Sequence, residues 1–347
     1  MKKTLSLLLA LMLTALLALP ALAEPATRTF TDSLGREVTV DQEISRIAVT
    51  GPLGQITVFA IAPEMLVGIP TAWDQTAAQY LGDRYYSLPI LGQLYGGKGE
   101  MNLEALLEAA PQVVIDIGEP KQDVAEDMDA LSEQTGIPFV HISAYLESLD
   151  TTYTLLGELL GKEAEAKTLA DYCARTYHDT LALLDGVELA NVLYITGEEG
   201  LNVLAKGSYH MEIMDKMMNN LAVVDAPTSR GTGNEVDMEQ LLTWNPDIII
   251  FSQDSIYDTV GDDPLWQEIT AIKNGTYYEV PYGPHNWLTM PPSVQRLLGM
   301  RWMAKLLYPQ VATYDLYEEV AEYYKLFYHC ELTQAQYDAL VANSIGR

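Results

Sequence analysis

The chain is 347 residues long, with 48 acidic against 20 basic side chains and a formal net charge of −28. That balance excludes an extended nucleic-acid surface, where cations must neutralise phosphates, and disfavours adhesion to anionic lipid. Hydrophobic residues at 48% exclude wholesale disorder, the length suggests about two domains, and the two cysteines, Cys173 and Cys330, exclude a disulfide-dense scaffold.

Lys2 and Lys3 open the chain, and an apolar run fills 5–19 with only Ser6 and Thr14 as polar members. Pro20 ends it, and Ala21-Leu22-Ala23 supplies a small-x-small cleavage pattern. The run is shorter than the roughly 20 residues that a membrane span needs. Residues 1–23 therefore read as a secretory signal peptide, with Glu24 as the expected mature N-terminus. No cysteine follows the run to carry a lipid, so the product is expected to be exported, soluble and periplasmic.

Strands are predicted at 46–50, 66–69, 113–117 and 138–142 in the first half, and at 191–195, 248–251 and 276–280 in the second. Helical stretches separate them, the pattern of a mostly parallel sheet covered by helices. Ligands of such sheets sit beyond the carboxyl ends of the strands. The loops that begin at Gly51, Gly118, Gly197, Ser252 and Pro281 are thus the places to find a site. Between the halves, 162–184 contains Ala164, Ala166, Ala170, Ala174 and Ala182 and no Pro or Gly. It reads as one helix of about 35 Å, a stiff strut that limits relative movement. Cys173 and Cys330 lie in helical-looking stretches far apart in the chain. Two buried thiols are favoured slightly over a disulfide, which export would permit.

One pattern repeats. Met101-Asn102-Leu103-Glu104-Ala105-Leu106-Leu107 is followed by Pro111-Gln112-Val113-Val114-Ile115. Val236-Asp237-Met238-Glu239-Gln240-Leu241-Leu242 is followed by Pro246-Asp247-Ile248-Ile249-Ile250. Asn102 and Asp237 are helix caps, the proline stops the helix, and a β-branched run forms a strand buried on both faces. The recurrence implies two lobes of similar build. The fold expected is α/β: two lobes, each with a mostly parallel sheet, joined by a long rigid helix and enclosing a cleft. The divisions are an N-terminal lobe over 24–150, a connecting helical segment over 151–186, a C-terminal lobe over 187–310 and a helical tail over 311–347.

These residues carry a resemblance. Thr31-Asp32-Ser33-Leu34-Gly35-Arg36-Glu37-Val38 resembles the opening hairpin of the periplasmic binding proteins of ABC importers for iron–siderophore, haem and cobalamin-type ligands. The two repeated segments, with Trp244-Asn245-Pro246-Asp247, are similar to that family's paired lobe motifs. Tyr282-Gly283-Pro284-His285-Asn286-Trp287 and Pro291-Pro292-Ser293-Val294-Gln295-Arg296-Leu297-Leu298-Gly299 resemble its closing segment. The resemblance covers nearly the whole mature chain. It implies a monomer that captures an iron chelate of siderophore type and delivers it to the permease dimer of an ABC importer. It also implies that one exposed glutamate per lobe, Glu104 and Glu239 by motif position, docks onto permease arginines. The competing role for a glutamate at the third position of a helix is a capping box.

Loops at predicted strand ends carry Trp73, Tyr95, His285 and Trp287, Tyr209 follows Gly207 in a similar turn, and Arg230 lies in a flexible loop before the second repeat. Aromatic walls suit a large, flat, partly apolar chelate, and an arginine pairs with its exposed oxygens. His285 and Trp287 lead as ligand contacts because they lie in the most specific segment. The five histidines have no metal-ligand spacing, so a metal would arrive already chelated rather than bind bare, and no resident cofactor is implied. The alternatives are the same role for cobalamin, haem or an oxyanion, or an exported α/β enzyme. No nucleophile elbow, zinc-protease pair or phosphate loop supports an enzyme. The strong negative charge slows the approach of small oxyanions, a weak preference for neutral or cationic chelates.

Overall fold

The computed structural model describes residues 26–95 and 100–345, and the leader read over 1–23 lies outside them. The chain opens with an antiparallel hairpin, β1 (Thr27–Thr31) and β2 (Glu37–Asp41). Its turn is held by Asp32, whose Oδ1 accepts from the backbone N–H groups of Leu34 and Arg36 at 3.0 Å each.

The first sheet is three parallel strands in the order β3–β4–β5: Ile47–Val49, Val113–Gly118 and Phe139–Ser143. Helices α1 (Pro52–Ile61), α2 (Leu103–Ala109) and α3 (Val124–Thr135) connect them. The strand expected at 66–69 does not form. Leu66 and Ile69 make only single parallel bridges, to Ile47 and Ile90. Gly68 and Pro70 punctuate that run, and proline offers no N–H to extend a ladder.

Gly161 ends α4 (Leu149–Leu160) in the left-handed conformation, at φ 66°, and the strut α5 follows as Glu163–Ala182. This is 20 residues, about 30 Å, somewhat shorter than the sequence implies because the helix tightens into turns from Leu183 onward. Helix α5 packs against α4 along one face. Cys173 is buried on α5 and its thiol is pushed well above its usual range by burial. Cys330 is half-buried, and both thiols are free.

The second sheet has the order β11–β10–β6–β7–β9. Its parallel centre is β6 (Asn191–Thr196), β10 (Ile248–Phe251) and β11 (Tyr277–Glu279). The two-residue strands β7 (Asn202–Val203) and β9 (Asn234–Glu235) add antiparallel, and β8 (Asn219–Asn220) pairs parallel with the start of β6. Helix α6 (Met238–Trp244) precedes β10 as α2 precedes β4. In both helices a side chain caps the start, Asn102 accepting from Ala105 N–H and Asp237 from Gln240 N–H. Both then end on a left-handed residue before the proline, Ala110 at φ 45° and Asn245 at φ 42°. The repeat in the sequence is thus a repeat in backbone geometry.

Three helices finish the chain: α7 (Arg296–Leu307), α8 (Leu316–Phe327) and α9 (Gln334–Leu340). One apolar cluster runs from Phe59, Trp73 and Tyr80 of the first half through Trp287, Leu297 and Leu298 of the second to Tyr324 and Phe327 of α8. Tyr80 meets Tyr324 edge-on at 5.1 Å, and Tyr323 stacks on Phe327 at 4.4 Å. Halves that share a large apolar contact lose the freedom that polar interdomain contacts leave. The strut and this cluster together predict little closure on ligand binding. Small-angle scattering should therefore give the same radius of gyration, within error, for free and loaded protein. A clear compaction on loading would show the shared cluster to be breakable.

Candidate ligand-binding site

Between the halves, at the carboxyl ends of the strands, lies a cavity of about 380 Å³. The first half lines it with Thr50, Gly51, Pro52 and Leu53 after β3, with Asp116, Ile117, Gly118, Glu119 and Lys121 at and beyond the end of β4, and with Tyr95. The second half adds Tyr209, His210, Ser229 and Pro292. The loops at Gly51 and Gly118 are two of those expected to hold a site. Gly197, Ser252 and Pro281 do not line the cavity.

Helix α1 starts at the cavity wall. Its N-cap Gly51 is extended and brings no side chain to cap it, Pro52 occupies the first helical position, and the first turn carries no acidic residue. The positive end of a helix of ten residues is therefore offered to the cavity without an internal counter-charge on that helix. Asp116 stands beside it. Thr50 Oγ1 donates to Asp116 Oδ1, and His141 Nδ1 lies 2.7 Å from Asp116 Oδ2. His141 is fully buried, and its other ring nitrogen is 3.4 Å from Ser143 Oγ. Tyr95 donates its phenol to Asp127 at 2.7 Å. Burial first, and then that carboxylate, raise the phenol's pKa well above its usual value. Glu119 and the exposed Lys121 complete this wall.

Tyr209 forms the facing wall, and burial raises its phenol pKa too. Behind its ring, 5.9 Å from the centroid, sits the guanidinium of Arg296. Arg296 is buried and pairs through Nη1 with Glu212 at 2.7 Å. Its Nε has no hydrogen-bond partner among the described residues. His210 is bonded through Nδ1 to Thr289 Oγ1, and burial lowers its pKa, which favours the neutral ring.

Of the six residues singled out from the sequence as ligand contacts, Tyr95 and Tyr209 line the cavity. Arg230 is exposed on the loop next to the lining residue Ser229. The other three lie in the packed layer outside it. Trp73 is 5% exposed and meets Phe59 edge-on at 5.3 Å and His285 at 5.5 Å. His285 is held neutral, its pKa pushed down to about 4 by burial. Trp287 is 1% exposed. Its carbonyl is pressed so closely by α7 that a Cβ on Gly299 would stand 2.3 Å from it, so only glycine fits there. Neighbouring Asn286 ties this segment down: its Nδ2 donates to Tyr194 and Gln253, and its Oδ1 accepts from Leu288 and Thr289.

Sequence reasoning passed over Asp116, Thr50, Glu119, Lys121 and Ser229. The signal was present for one of them: Asp116 is the lone charge inside the apolar strand Val113–Gly118. A carboxylate in a doubly covered strand costs desolvation unless it is bonded or used.

Glu104 and Glu239 are both exposed, each at the second position of its helix, α2 or α6. The third position, which a capping box uses, is taken by Ala105 and Gln240, so neither glutamate can serve a capping box.

Among the described residues no helix is long and apolar enough to cross a membrane. A family model described as periplasmic binding protein matches residues 57–282. The chain is 28% identical to the molybdate-binding protein MolA of Haemophilus influenzae, covering 93% of this chain and 96% of that protein. It is 28% identical to the Fe(3+)-citrate-binding protein YfmC of Bacillus subtilis over 53% of this chain and 58% of that one. Among solved structures, an ABC transporter solute binding protein from Sulfurospirillum deleyianum superposes with a TM-score of 0.82 at 26% identity, covering 91% of this chain and 99% of that one.

Proposed function

Because the chain belongs to the periplasmic binding protein family, whose members work with the permeases of ABC importers, we propose that it captures a small, oxygen-rich iron chelate outside the cytoplasm and hands it to such a permease. Its relatives are binding proteins rather than enzymes, and the family is exported to the periplasm. The observation that carries the ligand class is the mixed character of the cavity. An uncapped helix start offers donors, while Asp116 and Glu119 offer carboxylates on the same wall. A bare oxyanion wants donors only. A chelate brings a cationic centre and polar ligand atoms together and suits both.

Size points the same way. A cavity of about 380 Å³ falls within the range of small-molecule sites, roughly 300–1,000 Å³, and Tyr95, Tyr209, Leu53 and Pro292 give it apolar walls. A tetrahedral oxyanion would leave most of that space unfilled. The second reading, molybdate, is favoured by the relative that matches over 93% of the chain and is named for that ligand.

Calorimetric titration of the mature protein with ferric citrate, a ferric hydroxamate, a ferric catecholate and molybdate separates the two. One-to-one saturation by a ferric chelate is the expected result. Saturation by molybdate alone would replace this reading with the second, and no saturation by any of the four would remove both.

A further inference from the structure

Resting on the import reading above, we infer that Asp116 selects the ligand by requiring a hydrogen-bond donor from it. An ionised carboxylate only accepts, at about four lone-pair sites on its two oxygens. Thr50 Oγ1 takes one site on Oδ1, and His141 Nδ1 faces Oδ2 at 2.7 Å. Asp116 is only 6% exposed yet lines the cavity, so its remaining lone pairs meet the ligand or the water that the ligand displaces.

The carboxylate cannot turn away. His141 is fully buried, its far ring nitrogen lies beside Ser143, and its backbone N–H is held by Asp32 Oδ2 at 3.2 Å. Acidic groups surround it. Glu119 adds a second carboxylate to the same wall, Asp127 accepts the Tyr95 phenol, and among the described residues the one lysine or arginine lining the cavity is the exposed Lys121.

A fully deprotonated tetrahedral oxyanion brings acceptors only. Set against Asp116 in a space with little water, it meets like charge and leaves the carboxylate's lone pairs unpaired. A ligand carrying a hydroxyl, an amide N–H or a metal-bound water instead makes a charge-assisted hydrogen bond there, while its anionic oxygens face the α1 N-terminus. Sites built to bond a polar hydrogen reject analogues that lack it more strongly than apolar pockets reject a misfit. Aquated ferric carboxylate chelates and amide-bearing siderophores fall in the accepted class, and molybdate near neutral pH falls in the rejected one.

Asp116→Asn keeps the shape, removes the charge and adds an N–H donor. Titrated with ferric citrate and with sodium molybdate, the variant should move the two ligands in opposite directions: about tenfold weaker for ferric citrate and about tenfold tighter for molybdate. Shifts in the same direction, or no shift, overturn the inference. If the variant does not fold by circular dichroism, Thr50→Val leaves the carboxylate in place with one more open acceptor site. It should keep the preference for ferric citrate, and loss of that preference is equally fatal. Wild-type protein that binds molybdate ahead of ferric citrate overturns the inference but leaves the import reading standing. Wild-type protein that binds neither probe overturns the inference, and the import reading then stands or falls with the ferric hydroxamate and ferric catecholate titrations.

Discussion

Trp287→Ala should lower the unfolding free energy by about 3–5 kcal/mol, the usual cost of truncating a buried tryptophan to alanine. The side chain is 1% exposed and lies in the cluster that joins both halves to the C-terminal helices. Its surroundings have little room to collapse into the gap. Gly299 is already in contact with its carbonyl, and Asn286 fixes the backbone on its other side. The measurement is the urea midpoint followed by far-UV circular dichroism, with ligand titration beside it on the folded variant. A large midpoint shift with modest change in affinity is the expected pair of results. An unchanged midpoint with a selective loss of affinity would return Trp287 to the ligand wall, where the sequence reading puts it.

The buried position of Trp287, away from the cavity lining, shows which parts of the chain its sequence makes legible. Strand positions were readable because doubly covered parallel strands are unbroken β-branched runs: Val113 to Ile117 and Ile248 to Phe251 appear where expected. The one false strand, 66–69, contains Gly68 and is closed by Pro70, and a run of four apolar residues cannot outweigh both. The lobe repeat was readable down to its caps, because a cap, a leucine pair and a proline each have a fixed place relative to a helix end. The cavity wall was harder. The 282–299 segment is the most distinctive stretch, and the sequence reading assigns it to ligand contact, whereas the structure buries His285 and Trp287 outside the cavity lining. The segment's residues are constrained by packing: the Asn286 side chain makes four hydrogen bonds inside the fold, and Gly299 permits a close helix approach. Asp116 carries the opposite lesson. Its signal is a single charge among Val, Ile and Gly, faint in a chain with 48 acidic residues, and it becomes visible only when the strand is known to be covered on both faces.

Reversing both lobe glutamates, Glu104→Lys with Glu239→Lys, should abolish uptake through the cognate permease while leaving ligand affinity nearly unchanged. Both side chains are exposed at the starts of equivalent helices, α2 and α6, outside the cavity lining. The second helical position frees them from capping, because Asn102 and Asp237 already satisfy the N–H groups of Ala105 and Gln240. Their local role is a favourable interaction with the helix dipole, worth about 0.3–1 kcal/mol each at an exposed site, so the double variant should fold. An ion pair across an interface sets orientation and on-rate, and truncating one partner of a buried, hydrogen-bonded pair costs about 2–5 kcal/mol or more. Reversal adds like-charge repulsion at two points on a surface that must seat both lobes at once. Each single variant should therefore retain partial transport and the double variant none. Transport assayed in vesicles or in cells, with affinity measured on the same preparations, separates docking from binding. Normal import by the double variant would leave these glutamates with the dipole alone, and the repeat would then record only how each lobe starts a helix and ends it before a buried strand.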